Sequence, residues 1–130
     1  ATLDAASNFI YRGSSSLKPA VSVSGRKYGN LIFVSGQIAI NPSTNEFVKG
    51  NIDNQTKQVI ENIKAILESA GSSLQKVLKV SIFITDMKDF DSINAVYSEY
   101  FNSSLPARAC VEVSNLPKGA KVEMEAIASC

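Results

Sequence analysis

Apolar and polar residues alternate with two distinct periods along this chain, and the changes of period divide it into elements. After a mostly irregular start, in which Val21 and Val23 suit a short edge strand, Lys27 to Ser35 reads as the first clear strand. Gly36 to Ile40 continues extended, and Asn41-Pro42-Ser43-Thr44-Asn45 is a turn by composition, so the opening is hairpin-like. From Asp53 the period becomes helical: Val59, Ile60, Ile63, Ile66, Leu67 and Ala70 fall on one stripe. Asp53 suits an N-cap there, and Gly71 stands where a left-handed C-cap belongs. Leu78, Val80, Ile82 and Ile84 then alternate with Lys79, Ser81 and Phe83, which predicts a strand with one strongly apolar face. A second helix follows, capped by Asp86 or Asp89, with Phe90, Ile93, Val96, Tyr97, Tyr100 and Phe101 turned inward.

The last quarter returns to period two. Pro106 to Val113 and Lys121 to Ala128 flank Leu116-Pro117-Lys118-Gly119, and they read as two strands paired across that turn. The predicted order is β-β-α-β-α-β-β, an α+β fold with two helices on one face of a mixed sheet. Phe83, Ile127 and their neighbours would then point away from the helices. Exposed apolar sheet surface is usually covered by another subunit, so sheet-to-sheet oligomerisation is expected.

A length of 130 residues suits one domain, residues 1–130, with residues 1–26 as its irregular or edge-strand segment. No apolar run is long enough for a bilayer helix, which predicts a protein with no membrane partner. Thirteen basic and twelve acidic residues give a formal charge of +1, scattered along the chain rather than gathered into the basic face that nucleic acid demands. There is no histidine, which removes Ser-His and Cys-His catalysis and the common zinc sites, so no metal is expected. Cys110 in a strand and Cys130 at the end show no disulfide framework, and a reducing compartment fits best. Cytoplasm is the first expectation. The Ser/Ala-rich first ~26 residues, with Asp4 against Arg12, Lys18 and Arg26, faintly resemble a transit peptide and give the mitochondrial matrix as the alternative.

Chemistry must come from the last two strands. Arg108 offers a planar fork matched to a carboxylate, although a strand arginine is more often the partner of an acid such as Glu112 or Glu123. Its company near the turn, Cys110 and Glu123, raises the functional reading. Glu123 and Glu125 share a face and form either a paired network or a site with a proton acceptor. Cys110 alone reads as a small buried hydrophobe, and thiolate chemistry there would require Arg108 to lower its pKa. Ser35-Gly36 ends the first strand where a ligand could come close to backbone N–H groups, although an ordinary bulge is the commoner reason for such a glycine. Asn94 is a poor helix former within the second helix and is either a tolerated surface residue or a polar contact.

Leu31 to Ile38, Gln58 to Glu68, Val80 to Met87, Ile93 to Tyr97, Pro106 to Val111 and Glu123 to Ala128 together resemble the reactive-intermediate deaminases of the YjgF/YER057c/UK114 group. The resemblance implies a chorismate-mutase-like fold of the bacillary type, assembled as a homotrimer around a central barrel with a site in each cleft between subunits. It implies hydrolysis of 2-imino acids and their enamines, such as 2-iminobutyrate and 2-aminoacrylate, to 2-keto acids and ammonia, with no cofactor. By matching position, Arg108 would bind the substrate carboxylate, Glu123 would orient or deprotonate water, and Cys110, Ser35, Gly36 and Asn94 would line the pocket. The resemblance departs at one place: a tyrosine usual shortly before the first strand is replaced, by position, by Ser22 in Lys18-Pro19-Ala20-Val21-Ser22. That implies a pocket short of one wall and one hydroxyl. Two other functions belong to different classes: a non-catalytic trimeric sensor of small carboxylates, and an endoribonuclease or translation inhibitor, which the near-neutral charge disfavours.

Overall fold

The computed structural model describes residues 7–9 and 24–130. The expected strand at Val21 and Val23, and Ser22 itself, lie outside the described residues. Among the described residues, five strands precede the first helix: β1 (Ser7–Phe9), β2 (Gly25–Tyr28), β3 (Leu31–Gln37), β4 (Ile40–Asn41) and β5 (Glu46–Phe47). They are followed by α1 (Ile52–Ser69), β6 (Val77–Ile84), α2 (Phe90–Tyr100), β7 (Ala107–Glu112) and β8 (Val122–Ser129). The principal sheet runs β1-β2-β3-β8-β6-β7, and β4 and β5 form a separate hairpin. All neighbours in the main sheet are antiparallel except β6 and β7. This is the α+β arrangement expected, with two helices on one face of a mixed sheet.

The first strand differs from its reading. Lys27 to Ser35 is not continuous: the chain reverses at Gly29-Asn30, so that Tyr28 faces Leu31 across a hairpin. Gly29 has φ +58°, a left-handed conformation that a glycine adopts without steric penalty. The two-residue Gly29-Asn30 turn leaves the residues on either side extended, so the alternation alone does not mark the reversal.

The helical stripe of α1 is buried as expected over Val59, Ile60, Ile63 and Leu67, fully enclosed, and Ile66, nearly so, while Ala70 is partly buried at the C-cap. Its start lies slightly earlier than Asp53. Asn51 is the cap, its Oδ1 accepting the N–H of Asn54 at 2.9 Å, while Asp53 sits in the first turn, where a negative charge suits the helix dipole. At the other end Gly71 has φ +82°; its N–H reaches Glu68 O at 3.1 Å, and that of Ser72 reaches Leu67 O at 2.8 Å. That is a Schellman closure, and it satisfies two otherwise orphaned carbonyls.

In β6, Val80, Ile82 and Ile84 face inward, but Leu78 does not: it is 49% exposed, and Val77 at 3% takes the inward place. A register irregularity against β8 between Val77 and Lys79 shifts the alternation by one residue. Before α2, Asp86 Oδ1 accepts the N–H of Lys88 at 2.9 Å and closes a short turn, whereas Asp89 occupies the N-cap position without a side-chain bond. Ile93, Val96, Tyr97 and Phe101 are buried beneath α2, with Phe90 and Tyr100 partly so.

The expected pairing of the last two strands is overturned. β7 lies parallel to β6, with Ile82 opposite Cys110, and β8 enters between β3 and β6, with Ile82 opposite Met124. A parallel neighbour needs a crossover, which α2 supplies, and the Pro117–Gly119 turn then carries the chain past the end of β6. Turn residues report a reversal of direction without saying which strand is met after it.

Candidate functional site

Registration across β7, β6 and β8 fixes which side chains share a face. Arg108, Val80 and Ala126 form one row, and Cys110, Ile82 and Met124 another. Val80, Ile82, Met124 and Ala126 are buried beneath the helices, so Arg108 and Cys110 lie on the helix side of the edge strand β7. Val111, Phe83 and Glu123 form a row on the opposite side, as do Ala109, Ser81 and Glu125. Arg108 and Glu123 therefore stand on opposite faces of one sheet, two strand spacings apart, or about 10 Å across the strands. Their expected company within one chain, and the expected ion pair of Arg108 with Glu112 or Glu123, are both absent.

The guanidinium is nevertheless held. Arg108 Nη1 donates to Asn94 Oδ1 at 2.5 Å, and its Cζ lies 4.9 Å from the Tyr97 ring centroid and 5.7 Å from that of Phe90. Glu112 is used elsewhere, its Oε1 accepting the N–H of Met87 at 2.7 Å. Arg108 as a whole remains exposed, leaving the rest of its fork open to a ligand. Asn94, expected as a pocket contact, thus grips the arginine. Cys110 is half-buried against the core, and burial pushes its thiol pKa up more than the nearby Arg108 charge pulls it down. A thiol kept protonated is a poor nucleophile. Cys110 and Cys130 are both free.

Glu123 is half-buried on the open face, and its carboxyl pKa is raised, first by burial and then by the charge of Glu125. Its carboxylate lies over Gly36: a Cβ added there would stand 2.6 Å from Oε2 and 2.9 Å from Cδ. Gly36 is therefore where backbone is closely approached, as expected, but the group that approaches is the protein's own acid. Register slips between Val34 and Gln37 at this point. Ser35 Oγ donates to Ser24 O at 3.2 Å, and Gln37 Nε2 to Ser35 O at 3.2 Å, which fixes the bulge beside Glu123. Two buried amides of α1, not singled out in the sequence, support this half. Gln55 Oε1 accepts the N–H of Lys121 at 3.0 Å at the head of β8, and Asn62 Nδ2 donates to Ile40 O at 2.8 Å and Ile38 O at 3.2 Å.

The open face is apolar where expected: Phe33 is 43% exposed, Val111 46%, and Phe83 and Ile127 are half-buried. A cavity of about 720 Å³ on this face is lined by residues that include Arg26, Phe33, Ser35, Lys79, Ser81 and Glu125. It touches neither Arg108 nor Glu123 and does not join the two halves. Among the described residues no cluster of His, Cys, Asp or Glu could hold a metal ion, and no helix is long and apolar enough to cross a membrane.

Residues 15–130 match the family described as endoribonuclease L-PSP. This chain belongs to that family, the YjgF/UK114 group. A RutC family protein of Pyrococcus abyssi is 63% identical over 102 residues, spanning 78% of this chain and 80% of that protein. The 2-iminobutanoate/2-iminopropanoate deaminase of Escherichia coli is 45% identical over 109 residues, 82% of this chain and 84% of its own. A crystal structure of Escherichia coli TdcF with bound serine superposes with a TM-score of 0.86 at 37% identity, covering 95% of this chain and 99% of that one.

Proposed function

We propose that this protein hydrolyses reactive 2-imino acids, and the enamines in equilibrium with them, to 2-keto acids and ammonia, in a site that two neighbouring copies of the chain complete. The observation that carries this is Arg108: an exposed fork held by Asn94 and two aromatic rings, with no carboxylate partner among the described residues. Such a cation is preorganised for a small acid. The iminobutanoate deaminase named among the relatives, and a family structure that holds serine, support a small substrate bearing a carboxylate.

Separation of the halves by the sheet is the argument for assembly. Glu123 borders an open face with Phe33, Phe83, Val111 and Ile127, and a second sheet packed there would cover apolar surface. In the homotrimer with a central barrel, the edge carrying Arg108 from one copy meets the face carrying Glu123 from the next. A clean monomer by size exclusion with light scattering at micromolar concentration is the result that sinks this arrangement.

The chemistry asks little of the protein. Arg108 grips the carboxylate, and Glu123, ionised, takes a proton from a water that adds to the imine carbon. The nitrogen takes that proton to give a neutral amino alcohol; the hydroxyl proton then passes through Glu123 to the nitrogen as the C–N bond breaks, so ammonia leaves, the carbonyl forms and Glu123 ends ionised. Glu123 suits the base role because its raised pKa brings it nearer the working pH than an ordinary carboxylate. Supplying 2-iminobutyrate from a threonine dehydratase tests the reading. Arg108→Ala should lower kcat/KM at least ~30- to 150-fold, the equivalent of ~2 to 3 kcal/mol for a lost charged contact. Undiminished turnover would refute the mechanism.

The same arginine would serve a sensor of small carboxylates, the reading that bound serine in the related structure favours. Saturable binding of 2-oxobutyrate without any acceleration of keto-acid release would select it over the enzyme.

A further inference from the structure

Phe90, Asn94 and Tyr97 recur at helical spacing, four and then three residues apart, so α2 presents them as one stripe toward β7. All three meet the same partner, the Arg108 side chain: one by a hydrogen bond of 2.5 Å, two by ring faces at 5.7 and 4.9 Å from Cζ. Both ring distances fall within the range over which a ring quadrupole attracts a guanidinium. Tyr97 is itself backed by Phe101, with ring centroids 4.5 Å apart, so it is 8% exposed and fixed in place. Its hydroxyl is buried and has no hydrogen-bond partner among the described residues. The ring, rather than the hydroxyl, is therefore the part in use.

We infer that Tyr97, with Phe90, is a positioning residue that sets the plane of the Arg108 fork and so governs capture of the substrate carboxylate. The inference rests on the reading of Arg108 given under the proposed function. A bare arginine on an edge strand would sample several rotamers and lose that freedom on binding each ligand. Two rings and an amide remove most of it beforehand. Because the carboxylate is held alike before and during reaction, the effect belongs in KM with little in kcat.

Steady-state kinetics on 2-iminobutyrate and calorimetric binding of 2-oxobutyrate are compared for Tyr97→Phe, Tyr97→Leu and Phe90→Leu. The Arg108 Nε–Hε resonance of the ligand-free protein is followed alongside. Tyr97→Phe keeps the ring and should leave KM within about 2-fold, whereas Tyr97→Leu should raise KM and Kd about 5- to 30-fold at near-constant kcat, the weight of one such contact. The Hε resonance should move away from its ring-shifted position in both Leu variants. Should Tyr97→Leu fail to fold, Phe90→Leu carries the same expectation at a half-buried site. Unchanged KM and an unmoved Hε signal in a folded Leu variant overturn the inference. If the unmodified protein neither turns over 2-iminobutyrate nor binds 2-oxobutyrate, the functional reading falls, and the resonance alone still decides whether the rings position Arg108.

Discussion

Arg108 is exposed yet contacts three side chains of α2, whereas Glu123 is half-buried and its carboxylate accepts no hydrogen bond among the described residues. Each half leans on a different helix: α2 holds the cation, and α1, through Gln55 and Asn62, holds the backbone that flanks the acid. In the proposed hydrolysis this contrast separates two tasks. A group that binds an anion gains from being fixed and fully charged, and a guanidinium is charged at any working pH. A group that moves a proton gains from an environment that makes its charge less comfortable, which burial and Glu125 provide.

Removing the acid tests this division most severely. Glu123→Gln should lower kcat by about 10²- to 10⁴-fold, the usual range for a lost general base, while KM stays near its original value. Stability should move the other way. A carboxylate whose pKa is raised on folding opposes the folded state while it is ionised, and that penalty disappears as pH falls through the folded pKa. The variant should therefore melt no lower than the parent near neutrality. Loss of binding together with loss of turnover would show that Glu123 is no separate proton-transfer half.

Gly36→Ala is a subtler break in the same half. The new Cβ would fall 2.6 Å from Glu123 Oε2, and the end of a flexible, half-exposed side chain is what must give way. Misplacement of a reacting group by about 1 Å can cost on the order of 10²-fold. A kcat lower by roughly 10- to 100-fold, with KM unchanged and the melting temperature preserved, is expected from this substitution. Equal loss in kcat and in 2-oxobutyrate affinity would mean that the two halves are not independent.

These halves were unequally legible in the sequence. Period and end signals revealed α1, its Schellman glycine and the inward residues of α2, because each reports on local backbone. Arg108, Cys110 and Glu123 stood out because a histidine-free chain leaves few alternatives. What remained hidden is set by strand order: alternation places Arg108 and Glu123 within their own strands, but only the insertion of β8 between β3 and β6 puts them on opposite faces. The bulge at Val77 to Lys79 is hidden for a related reason, since one extra residue reverses every side chain beyond it without altering composition. Phe90 and Tyr97 were visible as inward residues, yet a stripe that meets a cation has the same spacing as one that meets leucine.

The smallest expected effect concerns Glu125, which neighbours Glu123 on the open face. Its charge is the second cause of the raised Glu123 pKa, after burial. Glu123 must be ionised to accept a proton from water, so kcat should fall as pH drops through its pKa, and anything that lowers this pKa moves the acid limb to lower pH. Glu125→Gln removes a like charge but leaves burial in place, so the acid limb should shift downward only part of the way toward ordinary carboxylate behaviour. The plateau and the affinity for 2-oxobutyrate, which depend on Arg108, should be retained. A full kcat profile against pH for both proteins decides it: an acid limb that stays where it was, or moves upward, would mean that a group other than Glu123 controls the proton step.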